Sequence, residues 1–384
     1  MLFVRYEHGR ESAMIVHVNP DTDVDTLAPE PLEFADEQAA RRATVLSVTG
    51  LAVSILIAAL TIIPAAFAIG SAGPTFDTLG EKDGEPLVTI EGAPTYESTG
   101  ELRLTTVSVA DAGGTPFTMG RVLSAWVSQR EYTLPREWVF GSPKDEDAVA
   151  EQSRTDWISS QESATVAALE ELGHPVPATI TVAEVPEDSG AAGHLQEDDV
   201  IVAVDGTTIT TYDDLADVME SKTPGDAITV TVKRGGVQLD QTFDTSDDGN
   251  GNAIMGIYVD PTFDLPIDVT VAIDSVGGPS AGLMFSLGIM DKLTPEDELA
   301  GAKVAGTGTI AASGDVGPIG GIRMKMWGAH DAGSAYFLAP VENCDEVVGN
   351  IPPGLSVFSV NTLDDAYTAI VAIGKGDTAS LPTC

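Results

Sequence analysis

An α+β fold behind a single membrane-spanning helix is what the sequence predicts, from three observations. The run TVLSVTGLAVSILIAALTIIPAAFAIG, Thr44 to Gly70, holds no charged residue, and it exceeds the roughly 20 residues that cross a bilayer as a helix. Beyond it, two stretches mix helical spacing with alternating, β-branched runs. Between them lies a dense succession of short strands and turns with one helix. The expected divisions are a polar, acidic, disordered tail over residues 1–43, the anchor over 44–70 and a linker over 71–94. A first α+β segment follows over 95–173, then a β-rich unit over 174–250 and a second α+β segment over 251–384.

Arg41 and Arg42 precede the apolar run and acidic residues follow it. The positive-inside rule then places the N-terminus in the cytoplasm and the bulk of the chain outside. A cleaved signal peptide ending at Ala66–Ala68 is the rival reading, and Met14 is an alternative start. The tail is too polar to form a core. In the linker, GPTFDTLGEKDGEP is rich in turn residues. ELRLTTVSVA (Glu101 to Ala110) alternates as a strand does. Phe117 to Gln129 has helical spacing, and Ala148 to Gly173 reads as one long or two short helices ending at a glycine.

The β-rich unit contains GHLQEDDVIVAVDGTTI, in which a glycine and leucine, an acidic turn, an apolar strand and a DG turn follow one another, and then TYDDLADVM, which reads as a helix. This order resembles a PDZ domain. The resemblance implies capture of an extended peptide at a sheet edge beside that helix. It places the groove between the strand carrying Ile180 and Val182 and the helix carrying Leu215, Val218 and Met219. A domain that only packs on its neighbour is the alternative.

From Pro266 the pattern is a strand (Ile267 to Ile273), a helix (Ser280 to Met290), a short acidic helix after Pro295 and strands around Val304 to Ala311. A helix (Ile322 to Ala332), the strand AYFLAP, a helix near Cys344, the strand LSVFSV and a last helix (Thr362 to Ile373) complete it. Within this region DSVGGPSAGLMFSLG sets Ser280 among glycines, between a strand and an apolar helix. A helix N-terminus offers free N–H groups and a positive dipole end, the environment acyl transfer needs around a nucleophile. The competing reading is a plain N-cap and turn. A serine nucleophile needs a base. Among five histidines only His330 lies in this region. Lys325, after the Gly320–Gly321 turn and among Met324, Met326 and Trp327, is the other candidate, because loss of hydration lowers a lysine pKa. A solvated lysine at a helix start is the alternative, although a cation in a first turn opposes the dipole.

GGPSAG followed by GDVGPIGGIRMKMWGAHDAG resembles the proteolytic domain of the Lon protease family. The resemblance implies a Ser–Lys dyad of Ser280 and Lys325, with Thr307 supporting the lysine and the backbone N–H groups of Gly278, Ser280 and Ala281 holding the oxyanion. Arg323 stands where Lon has its first, non-catalytic lysine, and Met324 and Met326 stand where it has Glu and Leu. SQESATVAALEELG and TGELRLTTVSV resemble the Lon helix before the serine strand and the first Lon strand. The Lon-like domain then starts near Thr95, breaks for the PDZ-like insert and resumes near Ile254. The chain carries no GxxxxGK[ST] loop, the mark of the ATPase that accompanies Lon. Anchor, PDZ-like unit and Lon-like domain together resemble the membrane-anchored, PDZ-containing Lon-like proteases of Gram-positive bacteria.

Asp and Glu outnumber Lys and Arg 59 to 19, a formal net charge of −40. Such a surface repels nucleic acid, so none is expected as a partner. With two cysteines and no CxxC or Cys/His cluster, no metal or cofactor is expected. Cys344 and Cys384 form a disulfide if the C-terminal part lies outside the cytoplasm, or remain two unrelated thiols. The expected function is that of an ATP-independent, membrane-anchored serine endopeptidase. It acts on extracytoplasmic peptides or proteins presented by the PDZ-like unit, with homo-oligomerisation open. Two alternatives stand beside it: a non-catalytic membrane scaffold that captures peptides, and an α/β-hydrolase-like esterase built on GxSxG with His330 as base.

Overall fold

The computed structural model describes residues 33–110, 117–141, 146–249, 251–273 and 276–384. It divides into two units, Met1–Ile62 and Ile63–Cys384. The expected tail over residues 1–32 and Asp274 lie outside the described residues.

Helix α1, Glu33–Ile62, has a stretch, Gln38–Ile62, long and apolar enough to cross a membrane. It begins inside the expected disordered tail and stops short of Gly70. The physical reason is Pro64, which disfavours helical backbone at Ile63. The apolar residues beyond it serve the core of the second unit: Ala65, Ala68 and Ile69 are buried there.

The expected linker is likewise structured. Strand β1, Phe67–Asp77, lies inside a sheet, and β2, Val88–Glu91, pairs with a later strand. Then come β3, Glu101–Ala110, helix α2, Met119–Trp126, and β4, Glu131–Pro135. A short helix α3, Arg136–Phe140, and the long α4, Glu146–Glu171, follow. The register of β1 against β3 shifts between Ala72 and Thr75, where Gly73–Pro74 interrupts the ladder. This glycine and proline disguise the strand in the sequence.

The β-rich unit follows α4. Its strands are β5, Ala178–Glu184, β6, Val200–Val204, β7, Ala227–Arg234, β8, Val237–Asp244, and β9, Tyr258–Phe263, with helix α5, Tyr212–Glu220, between β6 and β7. The order across the sheet is β8-β7-β6-β5-β9, and Ile180, Val182, Ile201, Val230 and Phe243 share its core. Two expectations are corrected here. The unit does not end at residue 250, because β9 completes its sheet and Met255 its core. And β5 is no edge: β6 pairs with one side and β9 with the other, so Ile180 and Val182 are core residues and β9 presents the outer edge.

The chain then returns to the first body through β10, Asp268–Val271, which pairs antiparallel with β2. Helix α6, Gly282–Leu293, precedes β11, Lys303–Gly306. Helix α7, Ile322–Asp331, β12, Tyr336–Pro340, α8, Cys344–Val347, β13, Ser356–Val360, and α9, Leu363–Lys375, close the fold. The acidic helix expected after Pro295 does not form. Asp297 instead accepts bonds from the Thr99 hydroxyl at 2.6 Å and the Ala300 N–H at 3.2 Å, which hold a turn.

The six-stranded sheet runs β13-β12-β11-β3-β1-β4, parallel from β13 to β3 and antiparallel at β1 and β4. Strands from both sides of the β-rich unit thus build one sheet, and that unit is an insert. Alternate residues face opposite ways. Val304, Leu338 and Phe358 point to the core with α4, α6 and α9, whereas Ala305, Phe337 and Val357 point to the core with α7 and α8. Cys344 and Cys384 are joined by a disulfide that fixes the C-terminus against this second face.

One buried group is costly. Asp291, on α6, is 2 % exposed, and neither of its carboxylate oxygens has a hydrogen-bond partner. Burial, with the Glu298 carboxylate nearby, pushes its pKa up to about 7. The folded state therefore holds a proton that the unfolded chain has lost, and stability falls as pH rises from the ordinary aspartate range through about 7. Asp291→Asn should raise Tm at pH 8, by ~2–4 °C for each kcal/mol gained, and give no gain at pH 4. Calorimetry at the two pH values checks it, and an equal effect at both would show that the charge is not the cause.

Candidate active site

The Ser280 turn is assembled by four elements. Gly278, at φ +79°, adopts a backbone that favours glycine and lets the chain reverse before α6. Its N–H donates to the Ser153 carbonyl of α4 at 2.9 Å, and the Ser160 hydroxyl of α4 donates to the Pro279 carbonyl at 3.1 Å. From the other side the Ser280 carbonyl accepts from the Thr307 hydroxyl at 2.9 Å and the Gly308 N–H at 3.1 Å. A Cβ at Gly282 would meet Ile310 and Ser160, so α4 and the segment after β11 approach α6 only because this position is glycine.

Lys325 comes from α7. The helix opens at Gly321, in left-handed conformation at φ +73°, where a Cβ would also strike Val107 of β3. This lets the first turn of α7 pack down on the sheet. Ile322, Met324 and Met326 of the same helix are buried, and the lysine itself is 2 % exposed. Its Nζ lies 2.7 Å from Ser280 Oγ and 2.8 Å from Thr307 Oγ1. Burial brings its pKa down to about 7, so near neutral pH a large fraction of the amine carries a lone pair.

The structure thus brings Ser280, Lys325 and Thr307 together. His330 lies elsewhere: its imidazole pairs with Asp331 at 3.0 Å and packs edge-on to Trp327. The Gly278 N–H, expected in the oxyanion site, is spent on Ser153. Among the described residues the Ser280 and Ala281 N–H groups have no acceptor. Ser153 and Ser160, which fasten the turn, escaped the sequence reading, since nothing in SRTDWISS marks two polar residues as facing a loop more than a hundred residues away. Among the described residues no three His, Cys, Asp or Glu side chains converge to hold a metal.

In the β-rich unit, α5 starts at Thr211, which with Asp214 forms a capping box. Leu215 is buried in the core, and Val218 and Met219 pack against it while remaining partly exposed. Where this unit meets the body, Val166, Leu169, Val176 and Ala312 are buried with Tyr212, Phe263, Leu265 and Ile267 against them. The carboxyls of Glu170 (α4) and Asp213 (α5) face each other at this junction. Burial, with Asp213 beside it, pushes Glu170 up to about 7.

Comparison with known proteins agrees with both units. Residues 263–372 match the Lon protease (S16) C-terminal proteolytic domain, and residues 152–245 match a PDZ domain. The chain is 35% identical over 106 residues to Lon protease 1 of Sorangium cellulosum, covering 27% of this chain and 13% of that protein. It is 35% identical over 115 residues to the Lon protease of Campylobacter concisus, covering 29% and 14%. It therefore spans only about a seventh of the length of these relatives. The PDZ domain of the SdrC-like protein from Listeria innocua is 29% identical over 21% of this chain and 92% of that one, at a TM-score of 0.21. The chain thus combines a helix long and apolar enough to cross a membrane, a PDZ domain over residues 152–245 and, over residues 263–372, a Lon-type (S16) proteolytic domain.

Proposed function

We propose that this chain is an ATP-independent, membrane-anchored serine endopeptidase in which Ser280 is the nucleophile and Lys325 the general base. The observation that carries this reading is the 2.7 Å approach of a dry lysine amine to the serine hydroxyl. Neutral Lys325 takes the Oγ proton as Ser280 attacks the peptide carbonyl carbon. The tetrahedral oxyanion faces the N–H groups of Ser280 and Ala281. The lysine, now an ammonium, protonates the leaving nitrogen and the C–N bond breaks. Water, deprotonated by the same amine, then hydrolyses the acyl ester. Thr307 holds Nζ on course, since its hydroxyl is bonded both to the amine and to the Ser280 carbonyl.

The PDZ domain presents the substrate. Its outer strand is β9, and α5 supplies Val218 and Met219, so an extended peptide adds to the β9 edge. Helix α1 anchors the chain, with Arg41 and Arg42 on the cytoplasmic side and both domains outside. An external location fits the Cys344–Cys384 disulfide and a chain without a nucleotide-binding loop.

Unfolded protein digested without ATP tests the dyad. Ser280→Ala and Lys325→Ala should each lower kcat/KM by about 10³-fold or more, with His330→Ala within a few-fold of wild type. A selective loss in His330→Ala would favour the esterase-type triad, and cleavage surviving in Ser280→Ala would sink the dyad. Because the amine must be neutral, kcat/KM should rise with pH through about 7 and level off above it. A flat profile from pH 5 to 8 contradicts a base on Lys325. In the PDZ groove, Val218→Arg should raise KM for long substrates while leaving kcat on short peptides intact. Equal losses on both would remove the PDZ from substrate capture.

A further inference from the structure

We propose that α2 and α3 form a second membrane contact, their exposed apolar and aromatic side chains lying in the headgroup region of the bilayer. The inference rests on the anchoring reading of α1. Trp126 is 59 %, Val127 85 % and Trp138 79 % exposed, and Leu123 and Ile63 are exposed as well. None of the residues of α3 is buried. Large apolar side chains left exposed on two helices that both flank β4 mark a surface that meets something other than water.

Connectivity says what it meets. Ile63 is the residue directly after the spanning helix. Its carbonyl accepts the Met119 N–H that opens α2, and the carbonyl of Ala66 accepts the Arg136 N–H that opens α3. The two-residue ladder Pro64–Ala65 with Phe117–Thr118 joins the same segment. Both short helices thus start within four residues of the place where the chain leaves the bilayer, and α2 is only about 12 Å long at 1.5 Å per residue.

Residue type and charge agree. Tryptophan concentrates at membrane interfaces, and apolar residues flanked by arginine are the pattern of helices that lie on a bilayer. The Trp126 indole N–H is already satisfied by the Thr133 hydroxyl, and its ring stands edge-on to Phe67. Its outer face is left apolar. Residues 117–141 contain three arginines (Arg121, Arg130, Arg136) against two glutamates (Glu131, Glu137), in a chain of net charge −40. An acidic protein held at a bilayer with anionic lipids is repelled wherever its own charge faces the headgroups. Here Glu131 is paired with Arg121 and Asp331 with Arg130, so the repulsion from these acids is relieved.

Helix α1 contains no tryptophan, so the four in the chain, at 126, 138, 157 and 327, report on the second unit alone. The full chain is reconstituted in phosphatidylcholine–phosphatidylglycerol vesicles whose acyl chains carry bromine near the glycerol end, and its emission is compared with that in unbrominated vesicles. Quenching in wild type that is lost in Trp126→Phe/Trp138→Phe supports the contact. Flotation of the vesicles separates the two readings. Chain that floats but is not quenched overturns the contact and leaves the anchor standing, whereas chain that does not float overturns both. Sedimentation in detergent gives the remaining outcome. A wild-type oligomer that dissociates in the double variant, with no quenching in vesicles, assigns the face to a second copy and overturns the lipid contact.

Discussion

Everything at the candidate site depends on keeping one amine out of water. A lysine in solvent is an ammonium and accepts no proton. Burying it, at 2 % exposure, makes the neutral form accessible near pH 7. The cost is met by the scaffold. Helix α7 sits on the sheet through Gly321, which brings it against Val107, and β11 delivers Thr307 as the amine's second partner. An exposed lysine at the same 2.7 Å would hold its proton and leave Ser280 an ordinary hydroxyl.

The site was largely legible in the sequence because its signals are local. Ser280 sits in a glycine turn before an apolar helix, and Lys325 sits in a first turn among methionines. Each is a departure from local expectation of the kind that marks a functional site. What was not legible depends on long-range pairing. ATITVAE and YVDPTF are both short strand-like runs, and only the register of Ile180 with Pro261 and Val182 with Val259 shows that one covers the other's edge. The sheet edge therefore moves from β5 to β9. The Gly278 N–H is a similar case, since its acceptor is Ser153 on a helix far away in sequence. The end of the apolar helix is not legible because apolarity carries no address. Pro64 to Gly70 are as apolar as the span, yet Ala65, Ala68, Ile69 and Gly70 are buried in the second unit.

Helix α4 connects the two functions. Near its start, Ser153 and Ser160 hold the turn that carries Ser280, and near its end Leu169 and Glu170 meet the PDZ domain at Tyr212 and Asp213. Ser160 and Glu170 are ten residues apart, about 15 Å along one helix. The PDZ domain is thus not hung on a loose tether. The segments that enter and leave it, at Val176 and at Phe263 to Ile267, are both packed at the same junction.

If the chain cuts without ATP, as proposed, selection would fall to where a captured peptide points. A peptide added to the β9 edge would lie on a domain packed against α4, the helix that also holds the Ser280 turn. Length and extension, more than the residues at the scissile bond, would then be the basis of choice. The same helix carries the constraint in both directions. The Glu170 and Asp213 carboxyls, crowded at the junction, favour sharing a proton over both being ionised. The seating of the PDZ domain is therefore most secure on the acid side of neutrality, opposite to the pH that frees the lysine.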